Sequence, residues 1–239
     1  MARLALVRRR TLWLPTLAGW GLLALLAAAG AALVVRGLYP FLAPEAPIGH
    51  GFLVVEGWGD DNVFLAAVGL WESGAYERLV TTGGPIDDAI WRQRHGTWAD
   101  AAAAHLRSLG VPGERITAAP SPASAQDRTF LAAVEVRERL DRDGLAPAAI
   151  DVLTHGPHAR RSWRLYALAF GNELPVGIVP AAPDRYDAGR WWRSSSGARD
   201  VVGEAIAWTW TACCFRVPPP GSPAERWGRP EDLPPRLAR

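Results

Sequence analysis

Two histidines and an arginine recur at a spacing of three in His155-x-x-His158-x-x-Arg161, directly after the short apolar run 150–153. The run reads as a buried strand. Gly156 permits a sharp turn, and Pro157 suits the first position of a helix, where its missing N–H would be unpaired in any case. His155, His158, Arg160 and Arg161 therefore crowd a helix N-terminus, which already presents free N–H groups and the positive end of the dipole. Cations placed there are unfavourable without an anion close by, so the stretch predicts an anion site, with phosphate as the leading ligand. His158 and Arg161 share one helix face, and Arg grips phosphate through two parallel hydrogen bonds. The structural alternative is that Arg161 pairs with Glu56 or Asp127 across the end of a sheet. Arg160 and Arg164 read as a solvated face.

The elements that would position this stretch alternate between strand and helix. Residues 51–55 form a continuous apolar run that ends in Glu56-Gly57-Trp58-Gly59-Asp60-Asp61, the pattern of a strand buried on both faces. A helix is expected over 62–73, a second strand over 78–82 ending in Gly83-Gly84, and a polar loop through His95. An Ala-rich helix follows over 97–109, then a weaker strand at 115–117 and a helix to Leu140 that Asp127 is placed to cap. The helix after Arg161 runs to Phe170, a last strand covers 176–179, and a final helix covers 198–215. This alternation predicts an α/β fold, a Rossmann-like three-layer α/β/α sandwich with a mainly parallel sheet. In such folds ligands sit at the carboxyl ends of the strands. Glu56, Gly57, Gly83, Gly84, Asp127, Arg128, Thr129, Thr154, His158 and Arg161 all fall at those ends, as does the segment from Tyr186 to Trp192.

The chain has 239 residues, and its 26 basic residues, all Arg, nearly balance 24 acids. A formal charge of +2 gives no support for a nucleic-acid binder. Cys213 and Cys214 are adjacent, and neighbouring cysteines pair only with strain, so they read as packing residues. From Thr11 onward the chain is apolar and uncharged as far as Val35, long enough to span a bilayer. Four arginines precede that run (Arg3, Arg8, Arg9 and Arg10) and only Arg36 follows closely, which orients residues 1–10 as a cytoplasmic tail and 11–36 as a transmembrane helix. A cleaved signal peptide is the rival, but the run exceeds the usual apolar core of such peptides. Residues 37–50 read as an extended linker, 51–216 as the α/β domain and 217–239 as a Pro-rich tail unable to fold.

In this order the domain resembles the YdcF-like, or SanA/ElyC, family of bacterial envelope proteins. The matching features are Gly57 after the first strand, Thr81-Thr82-Gly83-Gly84, Leu109-Gly110-Val111-Pro112 with Ile116, Thr129 opening a helix, and Thr154 with His158-x-x-Arg161. Val55-Glu56-Gly57-Trp58, Asp127-Arg128-Thr129, His158-Ala159-Arg160-Arg161-Ser162 and Arg190-Trp191-Trp192-Arg193 are similar to a subgroup of it. The resemblance implies a Rossmann-like fold and a membrane-anchored role in envelope integrity and surface polysaccharide, with no general reaction. Thr97-Trp98-Ala99 stands where many members carry Ser-Glu-Ala, and Leu131 stands where many carry an acid. Losing both acids leaves Glu56 and Asp127 as substitutes.

Three functions fit these residues. The first is binding of a phosphorylated envelope intermediate, lipid-linked or a sugar phosphate, on the outer face of the cytoplasmic membrane. The second is a phosphoester or phosphoanhydride hydrolase, with Glu56 or Asp127 as general base and His158 as general acid. The third is a scaffold that recruits envelope-synthesis proteins through Trp191 and Trp192. A metal variant would use Asp60, Asp61, His155 and His158, but the set is incomplete and no metal is assigned. The turns carry neither Gly-x-Gly-x-x-Gly nor a P-loop, so no nucleotide cofactor is assigned.

Overall fold

A computed structural model describes residues 13–124, 127–171 and 173–221, and these divide into two compact units that meet between Gly37 and Leu38. The first unit is the apolar part of α1 (Leu17–Leu42), a helix long and apolar enough to cross a membrane. The first ten residues, read as a cytoplasmic tail, lie outside the described residues, as does the Pro-rich tail beyond residue 221.

The second unit is an α/β sandwich on a five-stranded sheet: β1 (Gly51–Glu56), β2 (Tyr76–Gly83), β3 (Ile116–Pro120), β4 (Ile150–His155) and β5 (Val176–Ala181). All pairings are parallel and the order is β3-β2-β1-β4-β5, so the strand order reverses between β1 and β4. The helices are α2 (Asp61–Glu72), α3 (Ala89–His95), α4 (Trp98–Ser108), α5 (Arg128–Arg142), α6 (Ala159–Phe170) and α7 (Ser195–Cys213). Alternation along each strand divides the core in two. Phe52, Val54, Ile150 and Val152 pack under α5 and α6, while Leu53, Val55, Leu79 and Leu153 pack under α2 and α4. Both faces are covered, which is why the strands read as unbroken apolar runs rather than alternating ones.

Four expectations need correction. The segment 37–50 is not a free extended linker. Helix α1 continues through Pro40 to Leu42, which is buried, and the chain then docks on the sheet edge, with Ala46 bridging Ile178. The anchor point is Asp151, a fully buried carboxylate in β4. Its Oδ1 accepts the Ile48 N–H at 2.8 Å, and its Oδ2 accepts the Gly49 N–H at 2.8 Å and the Tyr76 hydroxyl at 2.7 Å. A charge on the interior strand supplies what the strap's backbone lacks, because the strap runs beside the sheet without pairing along its length.

Gly177 makes room for this clamp. A Cβ there would sit 1.9 Å from Asp151 Oδ1 and 2.8 Å from the Ile48 nitrogen. Gly177→Ala is expected to lower unfolding stability by about 2 kcal/mol, the range for overpacking a filled site. Urea titration checks this, and an unchanged midpoint would mean the strap yields freely.

The second correction is α3, in the polar segment expected to be loop. It is a short helix capped by Asp88, whose carboxylate accepts the Trp91 N–H at 2.9 Å. The third is Asp127. It precedes α5 but makes no capping hydrogen bond, and its φ of 50° is left-handed, which is uncommon for a residue other than glycine. The fourth is the cysteine pair. Cys213 and Cys214 form a disulfide, which is reached because Cys214 leaves helical geometry at the end of α7.

Candidate functional site

The reversal between β1 and β4 opens a crevice at their carboxyl ends, the place where open α/β sheets bind ligands. Glu56 ends β1 and is buried there. Its Oε2 accepts the Thr154 hydroxyl of β4, and both its oxygens accept the Ser162 hydroxyl of α6 at 3.1 Å. His158, also buried, brings Nε2 to 3.5 Å from Glu56 Oε2 and 3.4 Å from Thr129 Oγ1. The turn from β4 into α6 is a single 3-10 turn, Gly156–His158, with Pro157 inside it, and it aims the imidazole back over the strand ends.

The other side of the imidazole meets α7. His158 Nδ1 lies 2.9 Å from Glu204 Oε1. Arg161 Nη2 lies at the same 2.9 Å from Nδ1 and only donates, so Nδ1 donates to Glu204 in one tautomer and accepts from Arg161 in the other. Arg161 donates to the same carboxylate through Nε to Oε2 and Nη2 to Oε1, both 2.9 Å, and through Nη1 to Thr129 Oγ1 at 3.1 Å. Burial alone would raise the Glu204 pKa, but the His158 and Arg161 donors outweigh it and hold the carboxyl well below its ordinary range. The anion that a cationic helix start calls for is thus supplied from within the chain. Arg161 pairs with neither Glu56 nor Asp127, and its guanidinium fork is filled. Near it, partial burial raises the Asp127 carboxyl and the Arg161 charge offsets part of that shift.

Beside this network is a cavity of about 310 Å³. Trp58 and Asp60 come from the end of β1, His155 and His158 from the end of β4, and Asp200 and Glu204 from α7. The Trp58 and His158 rings pack edge to face with centroids 4.7 Å apart. His155 bridges two carboxylates, with Nδ1 3.2 Å from Asp60 Oδ2 and Nε2 3.5 Å from Asp200 Oδ2. The other Asp60 oxygen, Oδ1, is buried and has no hydrogen-bond partner among the described residues, as is the Tyr186 hydroxyl. Burial raises the Asp60 carboxyl, His155 counteracts this, and Asp184 adds to it.

Arg185 and Arg199 complete the lining. Both are exposed. Arg185 lies beside Asp184 at 3.6 Å, whereas Arg199 makes no ion pair among the described residues.

Of the residues expected at the site, the structure brings together Glu56, Thr129, Thr154, His158 and Arg161, with Asp127 near Arg161. Of these, the cavity is lined by His158 alone. Gly57, Gly83, Gly84 and Arg128 lie elsewhere. The Gly57 N–H donates to the Thr82 carbonyl at 2.8 Å, and a Cβ at Gly57 would meet the Trp98 carbonyl at 2.4 Å. Gly83 carries a positive φ of 146° and would meet the Trp98 side chain at 2.7 Å. The Gly84 carbonyl accepts the Trp98 N–H at 2.9 Å. These glycines let the ends of β1 and β2 lie against the start of α4. Arg128 is exposed at the first position of α5.

Asp60, Asp61, His155 and His158 do not converge as ligands, and among the described residues no group of three His, Cys, Asp or Glu side chains is placed to hold a metal ion. The sequence pattern points to neither Glu204 nor Asp200, and Ser162 stands in it only as the last residue of His158-Ala159-Arg160-Arg161-Ser162. Glu204 had a signal: it is the only charged residue between Val201 and Phe215, and a lone carboxylate on an apolar helix needs a partner.

No family model, curated protein or solved structure matches this chain.

Proposed function

We propose that the second unit is an extracytoplasmic ligand-binding domain, anchored in the cytoplasmic membrane by α1, that takes a small phosphorylated intermediate of cell-envelope biogenesis into the cavity between β1, β4 and α7. The observation that carries this reading is the cavity's position at the strand-order reversal together with Arg199, a cation on its lining without an ion pair among the described residues. The positive end for the ligand is Arg199 with Arg185, since Arg161 is spent on Glu204. The carboxylates of Asp60, Asp200 and Glu204 accept hydrogen bonds only, so the rest of the ligand must donate, as the hydroxyls of a sugar or polyol phosphate do. The envelope setting is supported by the motif resemblance, and the orientation by the arginines before α1.

Arg199→Ala is expected to weaken binding of a hexose phosphate about tenfold, the loss of one charge-assisted contact of about 1.4 kcal/mol. Its thermal midpoint should stay that of the parent, because the side chain is exposed and makes no ion pair among the described residues. Calorimetric titration of both proteins decides; equal affinities would remove the anion from this end of the cavity.

A second reading, hydrolysis of a phosphoester or phosphoanhydride, is favoured by Asp60. It lines the cavity 3.2 Å from His155, and burial raises its carboxyl, the direction a general acid requires. Phosphate release from sugar phosphates and lipid pyrophosphates, with and without EDTA, tests it. No turnover with any of these would leave binding alone.

A further inference from the structure

Of the four carboxylates that line the cavity, three are met from within the chain. Glu204 has His158 and Arg161, Asp184 has Arg185 at 3.6 Å, and Asp60 has His155 Nδ1 at 3.2 Å. The fourth is Asp200 on α7, whose side chain is 41% exposed. Its near neighbour is His155 Nε2 at 3.5 Å, and its carboxylate accepts no hydrogen bond among the described residues. A neutral imidazole carries a single N–H. Given to the nearer acid, Asp60, that hydrogen leaves Nε2 with its lone pair toward Asp200, a contact between two acceptors.

The residue before it, Arg199, lines the same cavity and makes no ion pair among the described residues. Helix α7 thus brings a cation and an anion to one cavity as neighbours in the chain, each left for a partner from outside. The volume of about 310 Å³ is at the small end of ligand sites, which suits one sugar ring rather than a chain of them.

We propose that the ligand is a zwitterion, an amine-bearing sugar phosphate, with its ammonium on Asp200 and its phosphate on Arg199. This rests on the cavity being the site of a phosphorylated ligand. An ammonium brings three donors and a positive charge to a carboxylate that a hydroxyl would meet with one neutral donor. Asp200 then sets specificity for the amine, while Arg199 contributes to the affinity for every phosphate alike.

Calorimetric titration of the full chain in detergent micelles, at neutral pH, with glucosamine 6-phosphate and with glucose 6-phosphate tests this. The amino sugar is expected to bind about tenfold more tightly, the worth of one charge-assisted contact. In Asp200→Asn, which keeps the shape of the side chain and loses its charge, the ratio of the two affinities should fall to near one; circular dichroism verifies the fold. Equal affinities in the parent, or a preference for glucose 6-phosphate, overturn the amine and leave the phosphate reading standing. A preference for the amino sugar that survives in Asp200→Asn overturns the assignment to Asp200. Binding of neither sugar phosphate overturns the phosphate reading, and this proposal with it.

Discussion

Replacing Glu204 with Ala will lower stability by about 3 kcal/mol, the cost of stranding a buried charge after removal of its partner. The loss is large because one carboxylate takes three hydrogen bonds, two from Arg161 and one from His158, with the imidazole buried. Without it the guanidinium keeps only the Thr129 hydroxyl and the imidazole nitrogen 2.9 Å away, and loses its carboxylate partner. Glu204→Gln keeps the shape but loses the charge, and should fall between the two. The same pair fixes a pH dependence. The folded-state pKa of Glu204 is depressed, so its stabilisation is complete above the unfolded value of about 4.5 and is lost as pH falls toward the folded one. Asp60 and Asp127 are raised and act oppositely, gaining stability on acidification. The Glu204 part is therefore read as the difference between wild type and Glu204→Gln. Thermal midpoints from pH 7 to pH 3 should converge as the pH falls, and parallel curves would contradict the account.

Asp151→Ala should cost a similar amount, about 3 kcal/mol, from three donors left without their acceptor. Two of them, the N–H groups of Ile48 and Gly49, lie near the surface and regain water, whereas the Tyr76 hydroxyl is buried. Burial and the Asp151 hydrogen bond both raise the Tyr76 phenol, which holds the donor protonated. The local signature is separable from the global one. Amide exchange at Ile48 and Gly49 should accelerate well beyond that of the β1 interior, because the strap is freed before the sheet opens. Protection of those two amides equal to wild type would mean that the Ala46–Ile178 bridge alone holds the strap.

The sheet was legible because burial on both faces writes itself into the chain as apolar runs bounded by Gly and Pro. Residues 51–55, 78–82, 150–153 and 176–179 each lie within an observed strand. The short helix α3 was not legible, since its seven residues include no buried one and only Asp88 starts it. The strap was hidden for another reason: its partner, Asp151, is about a hundred residues away, and a lone acid in a strand does not announce what it binds.

The site shows the same division. His158 and Arg161 were recognisable as cations at a helix start that needed an anion, and the need was real. What the local pattern could not reveal is that Glu204, 43 residues from Arg161, supplies that anion, and that the arginines lining the cavity beside them are Arg185 and Arg199. Gly83 and Gly84 look the same in sequence whether backbone approaches a ligand or another helix. Here the near neighbour is Trp98.

The account's central claim, that a phosphorylated ligand enters the cavity between β1, β4 and α7, is tested most directly by the histidines. The chain has five, His50, His95, His105, His155 and His158, and only the last two line the cavity. With 15N-histidine-labelled full chain in detergent micelles, titration with a hexose phosphate is predicted to shift the imidazole resonances of His155 and His158 and leave the other three in place. Binding that leaves both unmoved would put the ligand elsewhere and contradict the account.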